Sequence, residues 1–263
     1  MQPSSAREIA AYVLDAFDAT SVLRHAGMDA DEWQAELLLG EDRRVLLNCS
    51  RQSGKSTAVA AAAVHLAIFQ PGSLAVLVSA SLKQAGELLR TVLRLYRVQP
   101  DAPKIVAESQ AAVELANGSR IISAPAVDEG LRGYSPDLLV LDEAACLEPE
   151  VFTAARPMLA AKPRGRMILL STPRGRRGFF AELWHGEGDW KRIRVSADQC
   201  SRISKEWLES ERSTLGPVAF KQEYFCEFAA EGGESVFSYD DILAAVSRDV
   251  KPLEFRRQDA PVL

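Results

Sequence analysis

Gly54, Lys55 and Ser56 stand side by side in the stretch VLLNCSRQSGKST, residues 45–57. These are the side chains a phosphate-binding loop uses. Glycine lets the backbone approach an anion, lysine meets the β- and γ-phosphates, and the hydroxyl ligates Mg2+. The full pattern, G-x-x-x-x-G-K-[ST], is not complete, because Cys49 occupies the place of the first glycine. At average residue usage the triplet alone arises in roughly one chain in ten of this length, so it decides little. Its setting decides more. An apolar run, RRVLLNC, precedes it, and an Ala-rich, helix-favouring run, KSTAVAAAAVHLAIF, follows directly. A helix starting at Lys55 aims free backbone N–H groups and the positive end of its dipole at one spot. Gln52, Ser53 and Thr57 belong to the same loop and first turn, and Arg51 adds a fixed charge beside Lys55. The competing reading is a solvated turn whose lysine faces water.

A second constellation is DLLVLDEA, residues 137–144. An apolar strand runs into two carboxylates, and ligands of open α/β sheets bind at the carboxyl ends of strands. Asp142 suits a hard cation, and Glu143 suits a base that orients and deprotonates water. Both signals point to the same edge of the same sheet. Three weaker stretches remain open. Ser171 and Thr172 in LLSTPRG end a strand where hydroxyls could sense a γ-phosphate, or simply exit into a turn. Arg132 in EGLRGYSP is either a catalytic arginine, in cis or toward a neighbour, or a surface loop residue. Trp33 and Gln34 in DEWQAELL could hold an adenine edge, or pack as core with the amide in water.

The elements that must position these residues alternate. Helical spacing marks residues 4–25, 55–69, 82–98, 149–160, RGFFAELW and 204–227, the last broken at Gly216-Pro217. Apolar strands are RRVLLNC, SLAVLVSA, DLLVLDE and RMILLST, and WKRIRVSA alternates as a half-exposed strand. AAVELANGSRIISA carries Asn-Gly between apolar runs, the signature of a hairpin. Alternation of this kind predicts an α/β fold, a mostly parallel central sheet flanked by helices. The chain has 263 residues, 47% hydrophobic and 25% charged, with a net charge of −5. That fits one large α/β domain and excludes a uniformly basic surface, so contact with nucleic acid must be local. Four cysteines without C-x-x-C spacing and three scattered histidines argue against zinc and for free thiols in a reducing compartment. No apolar run reaches 18 residues, so no membrane span is expected.

The order of these pieces resembles the large terminase subunit of tailed bacteriophages. The resemblance rests on WQ, CSRQSGKST, GLRGYSPDLLVLDEAACL, LLSTPRGRRGFFAELW and GPVAFKQEYFCEF, and runs from about residue 30 to 237. It implies an ATP-hydrolysing motor that drives double-stranded DNA into a prohead. The implied fold is that of the RecA-like P-loop NTPases of the additional-strand, catalytic-glutamate class, with a small helical lid at about 1–30 and 196–228. By position the resemblance assigns Lys55 and Ser56 to phosphates and Mg2+, Arg51 to a phosphate contact, Asp142 to the metal and Glu143 to the attacking water. Ser171 and Thr172 match the motif that couples hydrolysis to motion, Gln34 the adenine contact, and Arg132 an arginine reaching the next subunit's site. It further implies a portal protein and a small terminase subunit as partners. The expected assembly is a homo-oligomeric ring of five copies, monomeric in isolation. The expected location is the cytoplasm of an infected bacterium, not the mature virion.

The family usually continues into a nuclease domain built on a carboxylate cluster. Residues 229–263 read instead as a linker toward such a domain, so no DNA cleavage is expected. Residues 162–194 hold nine Lys/Arg against three acids, a net of +6 in an acidic chain. Arg174, Arg176 and Arg177 are the expected DNA-phosphate contacts within that run; solvated loop charges are the alternative. Two other functions fit parts of the pattern. A superfamily 2 helicase shares the loop and acidic motif but needs a second RecA-like domain. A non-hydrolysing nucleotide-dependent assembly module would not need Glu143.

Overall fold

The computed structural model describes residues 5–126, 133–200 and 202–229. Eight strands form one sheet in the order β3-β4-β5-β2-β6-β7-β1-β8. They are β1 (Arg44–Cys49), β2 (Leu74–Ser79), β3 (Ile105–Glu108), β4 (Ala112–Leu115), β5 (Arg120–Pro125), β6 (Leu138–Asp142), β7 (Arg166–Ser171) and β8 (Lys191–Val195). From β5 to β8 all neighbours are parallel, while β3, β4 and β5 form an antiparallel arm. The expected mostly parallel sheet is therefore present. The Asn117-Gly118 hairpin joins β4 to β5, with Gly118 at φ +81° in the left-handed turn position. β3 has no sequence counterpart in the reading above. It is short and largely exposed, so it carries no apolar run to betray it.

The strands read as continuous hydrophobic runs because both faces of the sheet are covered. Period-two alternation sends Val45, Leu47, Val140, Ile168 and Leu170 into one core, and Leu46, Leu139, Leu141 and Leu169 into the other. The helices are α1 (Ala6–Phe17), α2 (Ser21–His25), α3 (Glu32–Leu39), α4 (Lys55–Phe69), α5 (Leu82–Tyr96), α6 (Pro149–Ala155), α7 (Phe179–His185), α8 (Lys205–Thr214) and α9 (Pro217–Phe225). Helices α2 to α5 serve the first core, and α6 and α7 the second. α4 places Ala58, Ala60, Ala61, Ala63 and Ala67 in the first core at 0–1% exposure, and such small side chains let the helix lie close on its neighbours. Strand β7 lies between β1 and β6, so the phosphate-loop strand and the acidic strand are not neighbours. That intervening strand is the one the additional-strand class is named for.

A third, small core joins Ala197, Phe220 and Tyr224 with Leu208 of α8, Leu215 just past its end and Phe225 of α9. Cys200 and Ile203 also pack in or against the first main core, so this small cluster adjoins it. Within the N-terminal stretch, Ala19, Val22 and Leu23 are buried with α4 and α5 in the first main core, while α1 buries no residue. No helix among the described residues is long and apolar enough to cross a membrane.

Candidate nucleotide site at the carboxyl edge of the sheet

β1 ends at Cys49, fully buried, and burial pushes its thiol far above the ordinary range. The residue where a glycine was missing is a core residue that closes the strand. The next amide, Ser50 N, donates to Val195 O of β8 at 2.8 Å. The chain then turns through Gln52 at φ +59° and Gly54 at φ +91°. Alternating left-handed residues turn successive N–H groups inward and make an anion-binding concavity. Only glycine adopts the Gly54 conformation without strain. α4 starts at once, with Lys55, Ser56 and Thr57 half-buried in its first turn.

At the end of β6, Asp142 is buried and Glu143 follows in a left-handed conformation, φ +53°. That backbone turn lets two successive carboxylates serve one spot. Glu143 N donates to Asp142 Oδ1 at 3.0 Å. Burial, with the charge of Glu143 second, raises the Asp142 carboxyl to about 6. A buried carboxylate of this kind calls for a cation. Lys55 Nζ lies 3.0 Å from Glu143 Oε1, joining the loop to the acidic pair across β7. From β7 itself, Ser171 Oγ sits 3.4 Å from Glu143 Oε2. The hydroxyl accepts from Ala145 N at 3.2 Å, and its one proton is directed to Thr172 O at 2.8 Å. Three strand ends thus deliver a lysine, two carboxylates and a hydroxyl to one place, as the sequence pattern predicts.

The profile of the family described as terminase large subunit, T4likevirus-type, N-terminal, matches residues 46–244. This chain belongs to the terminase large subunit family. The large terminase subunit of Thermus phage G20c is 27% identical over 230 residues, covering 73% of this chain and 47% of that protein. The chain thus spans about half the length of the curated relatives it matches. The ATPase domain of the Thermus phage P74-26 large terminase superposes with a TM-score of 0.67 over 80% of this chain and 97% of that domain, at 24% identity. The large terminase of another thermophilic bacteriophage, solved in complex with ADP, superposes at 0.63 over 76% of this chain and 54% of its own, at 10% identity. These likenesses show the shared fold.

The remaining candidates divide. Gln34 is buried at the loop: its Nε2 donates to Gly54 O at 3.4 Å and its Oε1 accepts from Asp31 N at 3.0 Å. Trp33 packs in the first main core, as the packing reading expects of it, whereas Gln34 is not left in water as that reading expects. Arg51 is exposed, paired with Glu223 of α9, and its N–H donates to Glu223 O at 3.2 Å. Thr172 is buried at the same edge. Arg132 and residues 230–263 lie outside the described residues. Arg174 and Arg177 are exposed, and Arg176 Nε donates to Phe228 O at 3.2 Å.

Four residues of this edge escaped the sequence reading. Arg202 donates to Ser53 O at 2.6 Å and pairs with Asp31, which ties α3 and the lid region to the loop. Glu223 holds Arg51, and Asn48 Nδ2 donates to Cys226 O at 2.9 Å. The signal for Asp31 was present as D-x-x-Q, the capping-box spacing that α3 does form. Asn48 was visible as a polar residue inside an apolar strand run. The partners of Arg202 lie 149 and 171 residues away, beyond any local pattern.

Proposed function

We propose that this chain is the ATP-hydrolysing motor domain of a terminase large subunit, acting on double-stranded DNA. The observation that carries the proposal is the Lys55–Glu143 contact at 3.0 Å across the sheet edge. The same ammonium serves both the phosphate loop and the base. When β- and γ-phosphates enter the concavity they compete for Lys55. Its withdrawal frees the Glu143 carboxylate to accept a proton from water as that water attacks the γ-phosphorus in line. The bond to the β–γ bridging oxygen breaks, and ADP leaves with the bridging oxygen.

The donor set fits Mg2+. Asp142 is a hard, buried carboxylate that needs a counter-charge, and Ser56 supplies a hydroxyl at the first turn of α4. Mg2+ is commonly held by one or two carboxylates together with substrate phosphates rather than by an all-protein cage, and when bound it supplies charge neutralisation on the phosphate oxygens. Gln52, Ser53, Gly54 and Thr57 present backbone or hydroxyl donors around the phosphates, and Gln34, buried against the loop, reads the base. Arg51, in cis, or Arg132, from a neighbouring copy, stabilises the charge that develops on the γ-phosphate. Arg51 is shared between Glu223 and any phosphate in the loop. Ser171 and Thr172 transmit loss of the γ-phosphate, since Ser171 stands beside Glu143.

The motor works as a ring on a prohead portal with a small terminase subunit, in the cytoplasm of an infected bacterium. Arg174 and Arg177 supply sequence-independent phosphate contacts. A non-hydrolysing module is disfavoured because it would have no use for Glu143 beside Lys55. The test is phosphate release from MgATP with double-stranded DNA present. Specific activity should rise steeply with protein concentration if Arg132 acts in trans. Mixing Arg132→Ala with Glu143→Ala subunits should then restore part of it. No release at any protein concentration would refute the motor reading, and release without rescue would assign the charge to Arg51.

A further inference from the structure

Asn48 is fully buried in the apolar run Val45–Cys49 of β1, among Leu46, Leu47 and Cys49. Its Oδ1 has no hydrogen-bond partner among the described residues, an unfavourable position for a buried polar atom. An apolar residue would fill the space without that cost. The orientation of its amide is fixed, because the Cys226 carbonyl it meets can only accept. Cys226 has a left-handed backbone, φ +56°, which turns the chain as it leaves α9. Other side chains hold the same short segment. Arg194 of β8 donates to Phe225 O, and Arg176 to Phe228 O. The Cys226 thiol donates to Val195 O at 3.1 Å. Asn48 stands at the centre of this row, registered between Ser171 of β7 and Arg194 of β8. Less than one helical turn before Cys226 is Glu223, the residue that holds Arg51 of the phosphate loop.

We propose that Asn48 is a positioning residue for the nucleotide site. By anchoring the Cys226 carbonyl it fixes the end of α9, and so sets Glu223 where it competes with phosphate for Arg51. The inference rests on the nucleotide-binding reading given above. It predicts a gain that mere damage would not give. Loosening the anchor, or removing the charge it positions, releases Arg51 to the phosphates and tightens nucleotide binding. A partly exposed ion pair of this kind is worth at most about 1 kcal/mol, so the gain is roughly 2–5-fold.

The experiment measures the dissociation constant of ATP-γ-S by calorimetry, and ATP hydrolysis in parallel. The proteins are the wild-type chain, Glu223→Gln, Asn48→Ala, Asn48→Ser and the double variant Asn48→Ala/Glu223→Gln. The expected result is tighter binding in each single variant and no further gain in the double, because both act through Arg51. Unchanged or weaker binding by Glu223→Gln, which alters only a partly exposed side chain, would overturn the proposal even if the Asn48 variants did not fold. Weaker binding by folded Asn48→Ser, or gains that add in the double variant, would also overturn it. A wild type that binds ATP-γ-S and shows these shifts but releases no phosphate would support the positioning role while refuting hydrolysis.

Discussion

Both edges of the central sheet carry charged side chains and use them in opposite ways. At the carboxyl edge, Lys55 pairs with Glu143, Arg51 pairs with Glu223, and Asp142 stands without a cation partner among the described residues, all around a concavity. At the amino edge the charges are spent on the protein itself. Arg166, the first residue of β7, donates to Asp42 O and Leu37 O. Arg192 of β8 donates to the carbonyls of Leu183, Trp184, Gly186 and Trp190 and so closes the end of α7. Lys162 pairs with Asp137 at 2.8 Å, and Lys191 with Glu36 at 2.6 Å. A cleft of about 720 Å³ opens there beside Arg44, Arg156 and Trp190, but it lacks the paired carboxylates of the other edge. The lesson is that a count of cations does not distinguish a ligand site from a scaffold; what their donors face does. Of the nine Lys/Arg in residues 162–194, Lys162, Arg166, Arg176, Lys191, Arg192 and Arg194 are committed to internal partners.

That contrast can be broken by substitution at either edge. The largest effect belongs to Lys55→Ala, which should weaken ATP-γ-S binding by about 100-fold or more in calorimetry, since charge-assisted contacts to two phosphates are lost. Its fold should survive. Arg192→Ala should do the reverse. Leaving the carbonyls at the end of α7 unmet should cost about 3 kcal/mol, or roughly 6–12 °C in melting temperature, with nucleotide affinity unchanged. Asp142→Asn sharpens the comparison by pH. Its carboxyl is raised to about 6 in the fold against 3.8 as its ordinary value, so the folded state binds the proton more tightly than the unfolded chain. The penalty for the charged form is absent below about pH 4, grows between the two values, and is complete above about pH 6. Asp142→Asn should therefore raise stability in denaturant titrations at pH 8 by up to about 3 kcal/mol, with no gain at pH 4, while hydrolysis is lost. The smallest effect is that of Arg174→Ala with Arg177→Ala. DNA binding should weaken, and the slope of log affinity against log salt should fall by about 2, in a fluorescence titration.

Much of this was legible in the sequence, for identifiable reasons. The strands β1, β2, β6 and β7 are buried on both faces and so spell continuous apolar runs. The loop and the acidic pair could be placed at one edge because parallel strands put their carboxyl ends together. The Asn-Gly turn announced its hairpin. What stayed hidden depended on contacts far apart in the chain. Arg202 reaches Asp31 and Ser53, and Asn48 reaches Cys226 across 178 residues. β3 is too exposed to show a pattern. The N-terminal helices looked separable from the core, yet Val22 and Leu23 are buried in it, because helix periodicity says that a face is apolar and not what covers it.

In the proposed motor, Glu143 is the base that activates water once phosphates withdraw Lys55. The most direct measurement is phosphate release from MgATP by the wild type against Glu143→Gln, with ATP-γ-S affinity measured on both. The variant should keep its affinity within a few-fold while its turnover falls by about 10²–10⁴-fold. Turnover equal to that of the wild type in a variant that still binds nucleotide would contradict it.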